Sequence, residues 1–121
     1  MSGMAQSDIC LDLDESVLHD MCDSDIEFEN DLLNTFIGCQ DPALVELAVA
    51  IERRDFETVK KIAHFTKGGA KSIGGQRLAR VSELLEQTVA SGKLSEAIEL
   101  ASEMLRAYND LKHTILARSN A

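Results

Sequence analysis

KKIAHFTKGGAKSIGG (Lys60–Gly75) is the stretch on which the reading of this chain turns. Wound at ~100° per residue, it forms a helix with two unlike sides. Lys60, His64, Lys67, Gly68 and Lys71 fall on one, with Lys61 at its margin. Val59, Ile62, Ala63, Ala70 and Ile73 fall on the other and face a core. The imidazole of His64 is therefore expected to point outward. A residue at i+4 leans back over residue i, which makes Gly68 the position that would cover His64. Its missing side chain leaves space above the ring. Glycine in a helix interior costs roughly 1 kcal/mol against alanine, and Gly68 and Gly69 stand together. Access to the histidine accounts for that tolerance.

The charges suggest what the access serves. No carboxylate shares the stripe on the helical wheel, and each ammonium at ~8 Å opposes imidazolium formation by about 0.5 kcal/mol before screening. A neutral ring is a nucleophile, and the same cations attract a dianionic phosphoryl group. A solitary surface histidine usually carries no function; this one is singled out by its neighbours.

Working outward, helical periods continue in both directions. Asp14 to Cys22 is expected to form a short helix with Val17, Leu18 and Met21 on its apolar side. Ser24 with Glu27 reads as a capping box for the next helix. Phe28, Leu32, Leu33, Phe36 and Ile37, then Leu44, Leu47, Ala48 and Ile51, recur there at spacings of three and four. Pro42 either kinks that helix or begins a new one capped by Asp41, and the resumed period favours a kink. Asp55 can cap the histidine helix, and Gly74-Gly75 can end it. Leu78, Val81, Leu85 and Val89 mark the following helix, closed by Gly92. Leu94, Ala97, Ile98, Ala101, Leu105, Tyr108, Leu111 and Ile115 mark the last. Short connections imply antiparallel neighbours. The expected fold is all-α: an up-down antiparallel four-helix bundle with a short extra N-terminal helix. Residues 1–12 are expected to be a flexible tail, and residues 13–121 the bundle domain.

Composition excludes several classes. One domain of 121 residues can bury its own core, with aromatics at 4% leaving the packing to aliphatic side chains. Residues 1–52 hold 13 acidic side chains and no Lys or Arg, whereas 53–121 hold 12 basic against 8 acidic. A net charge of −9 argues against nucleic acid as the main partner. The longest near-apolar run, Ala43 to Ile51, is too short for a membrane span. Cys10, Cys22 and Cys39 share no C-x-x-C spacing and read as free thiols in a reducing, cytoplasmic setting. No ligand spacing for zinc is present, and no glycine loop follows a strand. His19 and His113 are expected to be surface or satisfied core residues.

His64-Phe-Thr-Lys67-Gly68, then Gly74, then Leu78, has the spacing H-x-x-K-G-x5-G-x3-L. Those residues resemble the histidine-containing phosphotransfer (HPt) family, and Ile73 to Val81 looks like the continuation in its eukaryotic members. The resemblance in layout spans roughly residues 25 to 118. It implies a phosphorelay intermediate that takes a phosphoryl group from a receiver-domain aspartate onto His64 and passes it to another. It implies Lys67 as a phosphoryl stabiliser. It further implies a carboxylate or amide on the next helix, Glu86 here, accepting a hydrogen bond from Nδ1 so that Nε2 is free to attack. Gly68, Lys71, Lys60 and Phe65 are the expected binding residues around the site. Receiver domains of a hybrid histidine kinase and a response regulator are the implied partners. Mg²⁺ belongs to the receiver; no cofactor or metal is expected on this chain, which would carry phosphate as a monomer rather than turn over as an enzyme. A cytoplasmic place follows, extending to the nucleus in a eukaryote.

The chain departs from the family at Thr66, usually leucine, and at Gly69-Ala70, usually serine or another small residue. Thr66 lies inward, so its hydroxyl is expected to bond a backbone carbonyl one turn back. The missing serine at Gly69 removes a hydroxyl expected near the phosphoryl site. Docking is expected to use Phe65, Gly68 and the apolar side of the short helix, Val17, Leu18 and Met21. The competing reading is a non-phosphorylated helical adaptor that binds receiver or other signalling domains by shape.

Overall fold

The structure, a computed structural model, describes residues 11–119. Among the described residues five helices follow one another: α1 Glu15–Met21, α2 Ile26–Glu52, α3 Phe56–Ile73, α4 Gln76–Ala90 and α5 Leu94–Ser119. The four long ones form the expected bundle, α3 packing on α2 and α4, α5 on α4 and α2, with α1 laid against α3. The expected tail falls largely on residues 1–10, outside the described residues, as does Cys10. Leu11 and Asp12 are bonded to the start of α4.

Helix ends follow from side chains that satisfy orphan backbone groups. Asp55 caps α3 by accepting from the Thr58 N–H. Gly74 ends it in the left-handed region at φ 84°. A Cβ there would stand 2.5 Å from the Asp14 carbonyl oxygen, so glycine is required twice over, by conformation and by space. Gly92 likewise takes φ 79° after α4. The start of α2 differs from expectation. Asp25, not Ser24, is the cap, accepting from the Phe28 N–H at 3.2 Å. Asp23 and Ser24 instead hold positive φ and turn the chain from α1 into α2.

Pro42 does not begin a new helix, because α2 runs unbroken through it. The Asp41 carboxylate reaches across to α5 instead of capping, taking hydrogen bonds from Tyr108 Oη at 2.6 Å and Lys112 Nζ at 3.0 Å. Those bonds hold its carboxyl below the ordinary range, while burial and the neighbouring Asp41 push the Tyr108 hydroxyl up.

The core joins Leu33, Phe36, Leu44 and Leu47 of α2 to Val59, Ile62 and Ile73 of α3. Leu78 and Leu85 of α4 and Met104, Leu111 and Ile115 of α5 complete it. Each such aliphatic chain contributes about 1.5–3 kcal/mol on burial. Not every apolar residue of the sequence pattern is inside: Phe28 is half exposed, and Ala48 faces out. Leu18 is wholly buried and unavailable for docking, leaving half-buried Val17 and exposed Met21 of that expected trio.

Candidate functional site

His64 lies midway along α3 with its side chain 69% exposed. The helix puts it outward because Ile62, Ala63 and Thr66 on either side are buried. Gly68 has no atom within 4 Å of where its Cβ would be, so the space expected above the ring is present. Lys60 and Lys71 are exposed on the same face and have no ion-pair partner among the described residues. With Glu57, Lys61 and Glu86, Lys60 and His64 line an open recess.

A carboxylate, however, joins the stripe from the neighbouring helix. Glu86 Oε2 lies 2.9 Å from His64 Nδ1, and Glu86 Oε1 accepts from Lys67 Nζ at 3.0 Å. The wheel of a single helix could not show it. The turn at Gly74-Gly75 folds α4 back on α3, and His64 and Glu86 are nearly equally far from that turn. That register was the signal available in the sequence. Hydrogen bonds from Lys67 first, and from His64 after it, outweigh burial and hold the Glu86 carboxyl below the ordinary glutamate value. An ionised carboxylate can only accept, so Nδ1 carries a hydrogen, and in the neutral ring Nε2 keeps its lone pair. Nε2 has no hydrogen-bond partner among the described residues.

Two expectations behind the site need correction. The Thr66 hydroxyl bonds no backbone carbonyl; it donates to Gln40 Oε1 of α2 at 2.8 Å, with both side chains buried. Gly69 faces α2 as well, its Cβ position 3.3 Å from Gln40 Nε2 and 3.4 Å from Phe36. A serine there would point toward those groups and away from His64. These departures alter the α2–α3 seam beneath the site. The exposed groups above it are untouched.

Phe65 is 52% exposed beside His64. It shares a second recess with Cys39, Pro42, Ala43 and Glu46 of α2 and Thr58, Lys61 and Ile62 of α3. Cys22 is buried and Cys39 exposed, both free. At the far end of α3, His19 and Glu15 of α1 meet Glu29 of α2. Arg118 of α5 bonds both glutamates, at 3.2 Å to Glu15 and 2.8 Å to Glu29, so a cation of the protein already stands among them. The sequence pattern missed this cluster because its members come from three helices.

A four-helix bundle presenting an exposed histidine whose Nδ1 is engaged from the next helix fits the class of phosphotransfer carriers. The chain belongs to the Hpt domain family, whose model matches residues 31–114. Its fold is similar to that of histidine-containing phosphotransfer protein B (HptB) from Pseudomonas aeruginosa PAO1. That crystal structure superposes with a TM-score of 0.81 at 25% identity, over 91% of this chain and 96% of the other. No curated protein matches the sequence. Among the described residues, no helix is long and apolar enough to cross a membrane.

Proposed function

We propose that His64 Nε2 accepts a phosphoryl group from a phosphorylated aspartate of a receiver domain and delivers it to the aspartate of a second receiver. The Nε2 lone pair forms the N–P bond as the acyl O–P bond breaks, and the donor aspartate leaves as a carboxylate. Nδ1 keeps its hydrogen throughout, bonded to Glu86. The return step reverses these bonds with the second aspartate as nucleophile. The supporting observation is the pairing of an engaged Nδ1 with an open Nε2 that has no partner among the described residues.

The rest of the apparatus is assigned by charge and position. Lys60 and Lys71 draw the anionic group toward the ring, and Lys67 lies within the same cationic surroundings. Gly68 gives the incoming aspartate room, and Phe65 supplies an apolar contact for the receiver. Mg²⁺ and most of the rate enhancement come from the receiver, while this chain supplies the nucleophile and its docking face. Residues 13–121 form the working unit, acting as a monomer and needing no cofactor of its own. The partners are the receiver domains of a hybrid histidine kinase and of a response regulator, met in the cytoplasm.

Mixing the protein with a receiver domain phosphorylated in the presence of Mg²⁺ tests this. The wild type should gain an acid-labile, base-stable label that His64→Gln cannot acquire. Complex formation with no label on the wild type would overturn the carrier and leave an adaptor.

A further inference from the structure

Two turns beyond the histidine, an open recess of about 480 Å³ lies where α1, α3 and α4 meet. Val17 of α1, Lys71 of α3 and Ala79, Arg80 and Glu83 of α4 line it, over a floor at Gly74. Its walls are set before any partner arrives. Asp14 donates its N–H to the Gly74 carbonyl at 2.7 Å and accepts from Gln76 Nε2 at 2.8 Å. Those bonds seat α1 on the turn between α3 and α4. Gly74 lets Val17 close in, since Val17 Cβ lies 3.1 Å from the point that a Cβ on Gly74 would occupy. Lys71 and Arg80 are exposed, and neither they nor Glu83 has an ion-pair partner among the described residues. Two cations and one carboxylate leave the recess net positive, next to the apolar surface of Val17 and Ala79.

A domain that presents its aspartate to His64 must also cover this recess. Lys71 follows His64 by seven residues on the same face, about 10 Å along the helix. A standard interface takes up about 800 Å² on each partner and extends well past that distance. We propose that the recess selects among receivers, Arg80 with Lys71 taking a carboxylate of the receiver while Val17 and Ala79 take an apolar side chain beside it. A receiver with an acidic residue at that distance from its phosphorylated aspartate is accepted, and one with a basic residue there is refused. Charge across an interface governs discrimination more than raw affinity, and a recess already formed needs little reordering on binding. The inference rests on a receiver docking at His64, but docking can be measured where no phosphoryl transfer is possible.

The test takes a receiver domain that binds the wild type and reads docking apart from transfer. Docking is titrated with the receiver loaded with Mg²⁺ and beryllofluoride, against protein carrying His64→Gln. In that background Arg80→Glu should raise the dissociation constant about tenfold, and Arg80→Lys should stay close to the parent. Arg80→Ala, which brings no new charge, should show the same change at a smaller size. With His64 in place, single-turnover transfer to Arg80→Glu should need a correspondingly higher receiver concentration and reach the same plateau rate. One Asp→Arg or Glu→Arg substitution on the receiver should restore docking to Arg80→Glu and weaken it for the parent. An unchanged dissociation constant, a lower plateau at unchanged half-saturation, or no rescue by any such receiver variant would overturn the proposal. A wild type that takes no label defeats the carrier reading separately, since the titrations still report on Arg80.

Discussion

Two histidine–glutamate pairs in this molecule use the same atoms and reach opposite ends. At both, Nδ1 of the ring meets a glutamate oxygen on another helix. Glu86 is 20% exposed and shared with a lysine, and Nε2 of its histidine stands open. Glu29 is wholly buried and shared with Arg118, and Nε2 of His19 has Glu15 at 3.8 Å. The first pair turns Nε2 of His64 outward. The second ties α1, α2 and α5 together. What separates the two histidines is the occupancy of the second nitrogen, since the first makes equivalent contacts in each.

The sharpest way to break the comparison is to exchange the roles. His64→Gln should abolish phosphoryl acceptance, while His19→Gln should keep it, as read by acid-labile label from a phosphorylated receiver. Label lost in His19→Gln with the fold intact would mean that the two pairs do not divide as described.

The stability side should show the reverse ranking. Arg118→Met leaves the Glu29 carboxylate buried with one partner fewer, a strongly destabilising change for a buried pair. Its urea midpoint should fall further than that of any Glu86 variant. The hydrogen bond from His19, followed by the one from Arg118, holds the Glu29 carboxyl below the ordinary 4.5. A carboxyl lowered on folding adds stability that is complete above its unfolded pKa and lost as pH falls through the folded one. Unfolding free energy should therefore hold above about pH 5 and decline below it, with a shallower decline in Arg118→Met. An identical acid slope in both proteins would remove Glu29 from the account.

Glu86→Ala should slow transfer by roughly tenfold, the loss of one charge-assisted hydrogen bond. Its stability should change by no more than about 1 kcal/mol, as for other near-surface ion pairs. Unchanged single-turnover kinetics would detach Glu86 from the site.

The smallest effect should come from Gly68→Ala. With no atom near the new methyl group, helix propensity alone should raise stability by up to about 1 kcal/mol. Transfer should slow at the same time, because the methyl group takes up open space on the histidine face that the incoming receiver needs. A variant that is both more stable and equally fast would leave the glycine without a functional reason.

What the sequence disclosed, and what it hid, divides along the boundary between one helix and two. Helix ends were readable at Asp55, Gly74 and Gly92, where one residue type meets a local backbone need. The outward face of His64 and the gap at Gly68 follow from the period of a single helix. Ser24 was mistaken for the cap because Asp23, Ser24 and Asp25 can all serve, and the choice is made by the turn between α1 and α2. Partners on other helices were beyond a wheel diagram: Gln40 for Thr66, Glu29 for His19, and Glu86 for Lys67. Glu86 as a partner of His64 was reached only through family resemblance. Its second bond, to Lys67, was not.

The start of α4 has a practical bearing. Gly75 offers no side-chain cap, and the first turn of this helix is closed from outside, with the Leu11 carbonyl accepting the Arg77 N–H at 2.9 Å. An expression boundary trimmed to the first helical residue, Glu15, would discard that carbonyl and the Asp12 partner of Arg77. Fraying would then start at the root of the helix that bears Glu86, and a shortened protein could read as a poor phosphoryl acceptor for reasons of cloning alone.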